Sequence, residues 1–219
     1  MDSVRTDRRS YADPCGIARA LDVVGERWAL LVVRELMLGA RRFGQLRDGL
    51  PDVSPNVLAQ RLRDLEADGI VARTLLEPPA SLAVYELTER GQALEPILVE
   101  LGRWGSARPR ITGREMSPAA MIFALRTMFE PDGLPTATYG LELEGEHYTA
   151  RIADRDIAIT RGRPDSADAY LATDLTTLRL VVFLGTGVRA AEHAGSLTIS
   201  GDRRVAARFP KYFRKPVLA

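Results

Sequence analysis

One change of hydrophobic period, at Gly69, constrains the fold of this chain more than any other feature. Ahead of it, residues 54 to 69 read SPNVLAQRLRDLEADG, with Leu58, Leu62 and Leu65 on one side of a helix at about 100° per residue. Beyond it, IVARTLL (70 to 76) and LAVYEL (82 to 87) are apolar, β-branched runs separated by EPPAS, the pattern of a hairpin with a proline-stiffened turn. The helix is punctuated at both ends. Ser54 is a natural N-cap, Pro55 suits the first helical position, and Gly69 supplies a left-handed stop.

What precedes and follows this helix completes a small domain. PCGIARALDVVG (14 to 25) predicts a helix with Ile17, Leu21 and Val24 on one stripe, and that stripe needs a cover. ERWALLVVRELML (26 to 38) is apolar on most sides and predicts a central helix closed by Gly39. FGQLRDGL (43 to 50) is a short helix, and the turn PDVSP joins it to the capped helix as a helix-turn-helix. After the hairpin, Thr88 caps TERGQALEPILVELGRWG, a tail helix with Leu94, Leu98 and Leu101 as its stripe and Pro96 as an expected kink. Three helices, a two-stranded wing and a tail helix make a winged helix-turn-helix.

The outer face of the capped helix carries the chemistry. Asn56, Gln60 and Arg63 fall within roughly 60° of one another, opposite the leucines. Carboxamides match the adenine edge, guanidinium matches guanine, and a helix N-terminus approaches phosphate, so Ser54, Asn56, Gln60 and Arg63 are the candidate DNA-reading residues. Arg61 lies about 140° from Asn56 and either pairs locally or contacts backbone phosphate. Formal net charge is only +1, but residues 41 to 63 concentrate Arg41, Arg42, Arg47, Arg61 and Arg63 against Asp48 and Asp52 alone. Arg41, Arg42 and Arg47 are candidate phosphate contacts. No Lys or Arg lies between Arg73 and Arg90, so the hairpin tip offers no cation to a minor groove.

Four segments together carry a resemblance: C-x-x-A-R-A-L-D-x-x-G-x-x-W (15 to 28), R-R-F-x-x-L (41 to 46), S-P-x-x-L-x-x-R-L-R-x-L-E-x-D-G (54 to 69) and Y-x-L-T-x-x-G (85 to 91). In combination they resemble the HxlR group of bacterial transcription regulators over about residues 14 to 105. The resemblance implies a homodimer in which the first and tail helices pair across a two-fold axis. Each subunit would present one recognition helix to a half-site of an inverted-repeat, double-stranded operator. It also implies a repressor or activator under chemical control. Cys15, the sole cysteine, occupies a position used by related redox regulators. It is either an intersubunit disulfide or adduct site, or a small inert thiol.

Composition shifts at SARPRITGREMSP (106 to 118), which places a boundary between a domain of residues 1 to 112 and another of residues 113 to 219. The second reads as α+β: a capped helix (SPAAMIFALRTMF, 117 to 129), three alternating strands, a strand ending at Asp174, an apolar helix, then GSLTISGD (195 to 202) before a closing helix. With ADAYLATD (167 to 174), this order resembles the sterol carrier protein type 2 fold. That likeness implies an apolar tunnel, for which Leu178, Val181, Val182, Phe183 and Phe209 are candidate lining residues, or else plain core.

The fold class expected for the whole chain is therefore α+β. Its composition, 46% hydrophobic and 27% charged, belongs to a packed protein. His147 and His193 stand apart without metal-ligand spacing, and no catalytic signature is present, so no metal, cofactor or enzymatic activity is expected. The apolar runs fall well short of the roughly 20 residues of a membrane span, and the first 14 residues lack a signal-like core. The expectation is a cytoplasmic DNA-binding regulator, with an apolar small molecule or thiol oxidation as effector signal. The alternative is a lipid or apolar-ligand carrier whose winged helix makes protein contacts.

Overall fold

The computed structural model describes residues 10 to 75, 82 to 106 and 116 to 214. It is α+β and divides into two compact units, Met1–Leu94 and Glu95–Ala219. The wing tip, with Pro78 and Pro79, lies outside the described residues.

In the first unit α1 (Gly16–Val24) follows Cys15 as its N-cap residue. It stops at Gly25, where a Cβ would run into the Leu21 carbonyl that accepts the Gly25 N–H. The central helix differs from expectation. Residues 26 to 28 form a turn, and α2 (Ala29–Leu36) begins only after Trp28, whose φ of 79° is left-handed. The Ala29 N–H bonds the Glu26 carbonyl and the Arg27 guanidinium stacks over the Trp28 ring at 5.2 Å, which hold the turn closed. Val32, Val33 and Leu36 are buried behind it.

Next come α3 (Phe43–Gly49) and α4 (Pro55–Ala67). Ser54 Oγ accepts the Val57 N–H at 3.3 Å, and Leu58, Leu62 and Leu65 are buried. At the other end Gly69 (φ 68°) donates to the Glu66 carbonyl and Ile70 to the Leu65 carbonyl. This Schellman pair satisfies the last carbonyls and turns the chain directly into β1. The wing pairs β1 (Val71–Leu75) antiparallel with β2 (Ala83–Leu87), Val71 opposite Leu87. Arg41 adds a bridge to its outer side, exchanging both backbone hydrogen bonds with Tyr85 at 2.8 and 2.9 Å.

The expected kinked tail helix is two helices. Thr88 caps α5 (Glu89–Gln92), residues 93 and 94 form a turn, and α6 (Glu95–Ser106) starts afresh. Pro96 thus sits in the first turn of α6, where its missing N–H removes no helical bond and no kink is needed. The division between units also falls ahead of α6 rather than at residue 112. The reason is packing on α7 (Pro118–Thr127): Glu95 pairs with Arg126, Arg103 Nε donates to the Thr127 carbonyl at 3.2 Å, and Gly102 leaves room for the Thr127 side chain.

The rest of the second unit is built on a five-stranded sheet: β3 (Ala137–Leu143), β4 (Glu146–Ala153), β5 (Asp156–Arg161), β6 (Ala169–Thr173) and β7 (Leu197–Gly201), in the order β5-β4-β3-β6-β7. Only β3 and β6 run parallel. Tyr139, Leu141, Leu143, Tyr148 and Ile152 alternate onto the buried face, as the period-2 pattern requires. Between β6 and β7 lie α8 (Leu175–Phe183) and α9 (Val188–His193); α10 (Arg203–Arg208) and a 3-10 turn (Phe209–Tyr212) close the unit. Asp174 caps α8 by accepting the Thr177 N–H at 2.7 Å and its hydroxyl at 2.9 Å. Tyr139 meets Phe209 edge-on, centroids 4.8 Å apart, and gives its hydroxyl to the Val205 carbonyl. Burial, reinforced by Tyr212, pushes that hydroxyl above the ordinary tyrosine range, so it remains a donor.

Candidate nucleic-acid interface

The face of α4 opposite its three leucines is exposed from Ser54 and Asn56 through Gln60 to Arg63. Around the helix, at about 100° per residue, the order is Arg63, Asn56, Gln60, Asp64, Arg61. The first three form the outermost strip. Arg63 Nη2 donates to Gln60 Oε1 at 2.6 Å, and Gln60 Nε2 donates to Asp64 Oδ1 at 2.8 Å. Arg61 turns inward: Nη1 stands 3.1 Å from Asp64 and 3.5 Å from Glu26, leaving 15% of its side chain exposed. Of the two roles open to Arg61 in the sequence, local pairing is the one the structure displays.

The three arginines ahead of α4 divide in the same way. Arg42 is exposed at the N-cap of α3, its backbone N–H held by Gln45 Oε1 at 2.9 Å. Arg47 is exposed in the last turn of α3, 3.6 Å from Asp48. Arg41 is only 6% exposed. Its backbone is stitched to the wing through Tyr85, which sets this candidate phosphate contact apart from the exposed ones. Arg42, Arg47 and Arg63 are the guanidinium groups left facing water.

The remaining candidates scatter. Cys15 is exposed, its N–H bonded to Asp13 Oδ1 at 2.8 Å and its carbonyl accepting from Arg19. Beside it, the stripe expected on α1 is open, with Ile17 72% and Leu21 42% exposed; on α6, Ile97 and Trp104 are 57% and 69% exposed. Of the five tunnel candidates, Leu178, Phe183 and Phe209 are core. Val181 and Val182 back a surface cleft of about 560 Å³ completed by Val188, Pro210 and Phe213, with Arg189 and Lys211 among its lining residues.

Two residues central to this face carry no sequence expectation. Asp64 is legible in principle, since it stands i+4 from Gln60 and i+3 from Arg61, the spacings at which helix side chains meet. Glu26 belongs to a different element, and nothing local to it announces the contact. Among the described residues, no helix is long and apolar enough to cross a membrane.

Comparison with known proteins bears on the same segment. Residues 23–110 match the family described as HxlR-like helix-turn-helix. The chain is 38% identical over 88 residues to the uncharacterized HTH-type transcriptional regulator YvaP of Bacillus subtilis, a match spanning 40% of this chain and 82% of that protein. It is 40% identical over 105 residues to the uncharacterized HTH-type transcriptional regulator sll1512 of Synechocystis, covering 45% and 78%. Among solved structures, the reduced form of the transcriptional regulator YodB from B. subtilis shares 34% identity, with coverage of 42% and 91% and a TM-score of 0.39. With a winged helix-turn-helix in its first unit and relatives matched over most of their own length, the chain belongs to the HxlR-like helix-turn-helix family.

Proposed function

We propose that this protein is a sequence-specific, DNA-binding transcription regulator acting as a homodimer, with repression by promoter occlusion as its mode. The observation that carries the reading is the exposed strip of Asn56, Gln60 and Arg63, with Ser54 at the N-terminal end, on a helix whose opposite face is buried. A helix placed so in a major groove presents hydrogen-bonding side chains to base edges. Arg42 and Arg47 flank the strip as phosphate contacts. The names of the family's relatives support the same assignment.

The open apolar stripe of α1 supports dimerisation, because an isolated chain leaves Ile17 and Leu21 in water. Two such subunits meet successive major grooves when their recognition helices stand about 34 to 36 Å apart. A chemical signal that changes that spacing changes affinity. Two features support a signal input: the exposed Cys15 thiol, and a second unit whose resemblance to sterol carrier protein type 2 and valine-backed cleft suit an apolar small molecule.

Selection of bound duplexes from a random pool by the full-length protein tests the proposal. The expected outcome is an inverted repeat with half-sites one helical turn apart, bound with an affinity that falls steeply with salt. Failure to enrich any sequence, together with tight uptake of apolar ligands, would favour a carrier whose winged helix contacts protein. Repeating the selection with an apolar compound library, and after full thiol alkylation, identifies which input shifts binding.

A further inference from the structure

Four contacts lead from two strip residues down one flank of α4 to the turn before α2: Arg63 to Gln60 (2.6 Å), Gln60 to Asp64 (2.8 Å), Asp64 to Arg61 (3.1 Å) and Arg61 to Glu26 (3.5 Å). The chain of partners determines how the Gln60 amide lies. Its oxygen faces a guanidinium and its nitrogen faces a carboxylate; the reverse orientation would set an NH₂ group against guanidinium and a carbonyl against carboxylate.

A glutamine that recognises adenine offers Oε1 and Nε2 together to one base edge. Here the two atoms are turned to different neighbours on the helix. Arg63 spends one Nη2 hydrogen on Gln60 and keeps its other donors, enough for the paired contact with guanine O6 and N7. Asp64 also faces Arg61 at 3.1 Å, and Arg61 is shared with Glu26 at 3.5 Å, so the carboxylate that orients Gln60 is itself held from two elements.

We infer that Gln60 and Asp64 are positioning residues that aim Arg63, and that Arg63 reads a guanine in each half-site. Arg61 and Glu26 secure the far end of this relay. The inference rests on the DNA-binding reading above and goes beyond it by separating the residue that reads from those that hold it. A flexible surface arginine samples many rotamers; one tied at Nη2 meets the base edge already oriented.

Selections with the full chain, comparing wild type with Arg63→Ala, Gln60→Ala, Asp64→Ala and the pairwise doubles with Arg63→Ala, test the relay by per-base preference. Arg63→Ala is expected to relax preference at one G·C pair by roughly fivefold or more. Gln60→Ala and Asp64→Ala should relax that same pair by less, adding nothing when Arg63 is already gone, with thermal midpoints near wild type. Gln60→Ala relaxing a different base pair, additively with Arg63→Ala, would overturn the relay while leaving DNA binding intact. So would an Asp64→Ala protein that loses affinity equally on all sequences, the mark of a purely structural residue. If wild type enriches no sequence, the underlying DNA-binding reading falls, and the relay with it.

Discussion

Replacing Gly91 by alanine sets two effects of opposite sign against each other. By helix propensity alone the change stabilises α5 by about 1 kcal/mol. The structure says otherwise, because a Cβ at residue 91 would fall on the Ile70 carbonyl oxygen, closer than real Cβ contacts come, and within 3.1 Å of Leu87 Cδ2. That carbonyl is backbone in the turn between α4 and β1 and has little room to yield. It also accepts the Thr88 N–H at 3.0 Å, while the Thr88 hydroxyl bonds the Gly69 carbonyl at 2.6 Å and caps α5 through the Gly91 N–H at 3.1 Å. Pushing α5 off by about 1 Å weakens these bonds together, each worth about 1 kcal/mol, in addition to the strain. The expected net effect is about 1–3 kcal/mol of destabilisation, a fall in thermal midpoint of at least roughly 4 °C for a unit of this size. Denaturant unfolding followed by Trp28 fluorescence in a Trp104→Phe background reports the first unit. A Gly91→Ala protein as stable as its parent, or more so, would refute the steric reasoning and leave propensity in control.

Other consequences are simpler. Ser54→Ala removes the acceptor for the Val57 N–H and should cost about 1 kcal/mol of first-unit stability by denaturant titration. Ile17→Glu places a charge in the open stripe of α1 and tests the proposed dimer: analytical ultracentrifugation should show a dimer for wild type and a monomer for the variant, and equal sedimentation coefficients would refute pairing through α1. Burial raises the pKa of Asp174, but the Thr177 backbone and hydroxyl bonds outweigh it and hold the carboxyl below the ordinary aspartate value. A depressed folded value means that the stabilisation is complete above about pH 4 and is lost as pH falls through the lower folded pKa. The gap in unfolding midpoint between wild type and Asp174→Asn should therefore narrow from pH 6 to pH 2.5, and a widening gap would contradict the cap.

How much of this was legible beforehand depends on whether the signal is local. The bounds of α4 follow from Ser54, Pro55 and Gly69, each acting within a turn of its own position. The strands of the second unit follow from alternation, and Asp174 announces α8. The break at Trp28 is hidden, because a left-handed aromatic residue carries no compositional mark and the apolar run continues through it. Arg41 looks like any surface arginine until β2 is seen beside it. Within the strip, the residue types and their common face are written in the spacing. The pairing of Arg61 with Glu26 is tertiary and lies beyond any periodicity.

The family segment ends at residue 110 and so includes α6, yet α6 packs on α7 and belongs by contact to the second unit. No cut through this polypeptide is therefore clean. Severed after residue 94, the winged portion loses a helix that its relatives share; severed after residue 112, the sheet-bearing portion loses the lid over Arg126 and Thr127. One helix thus serves both descriptions of the chain, closing the family segment and opening the second compact unit.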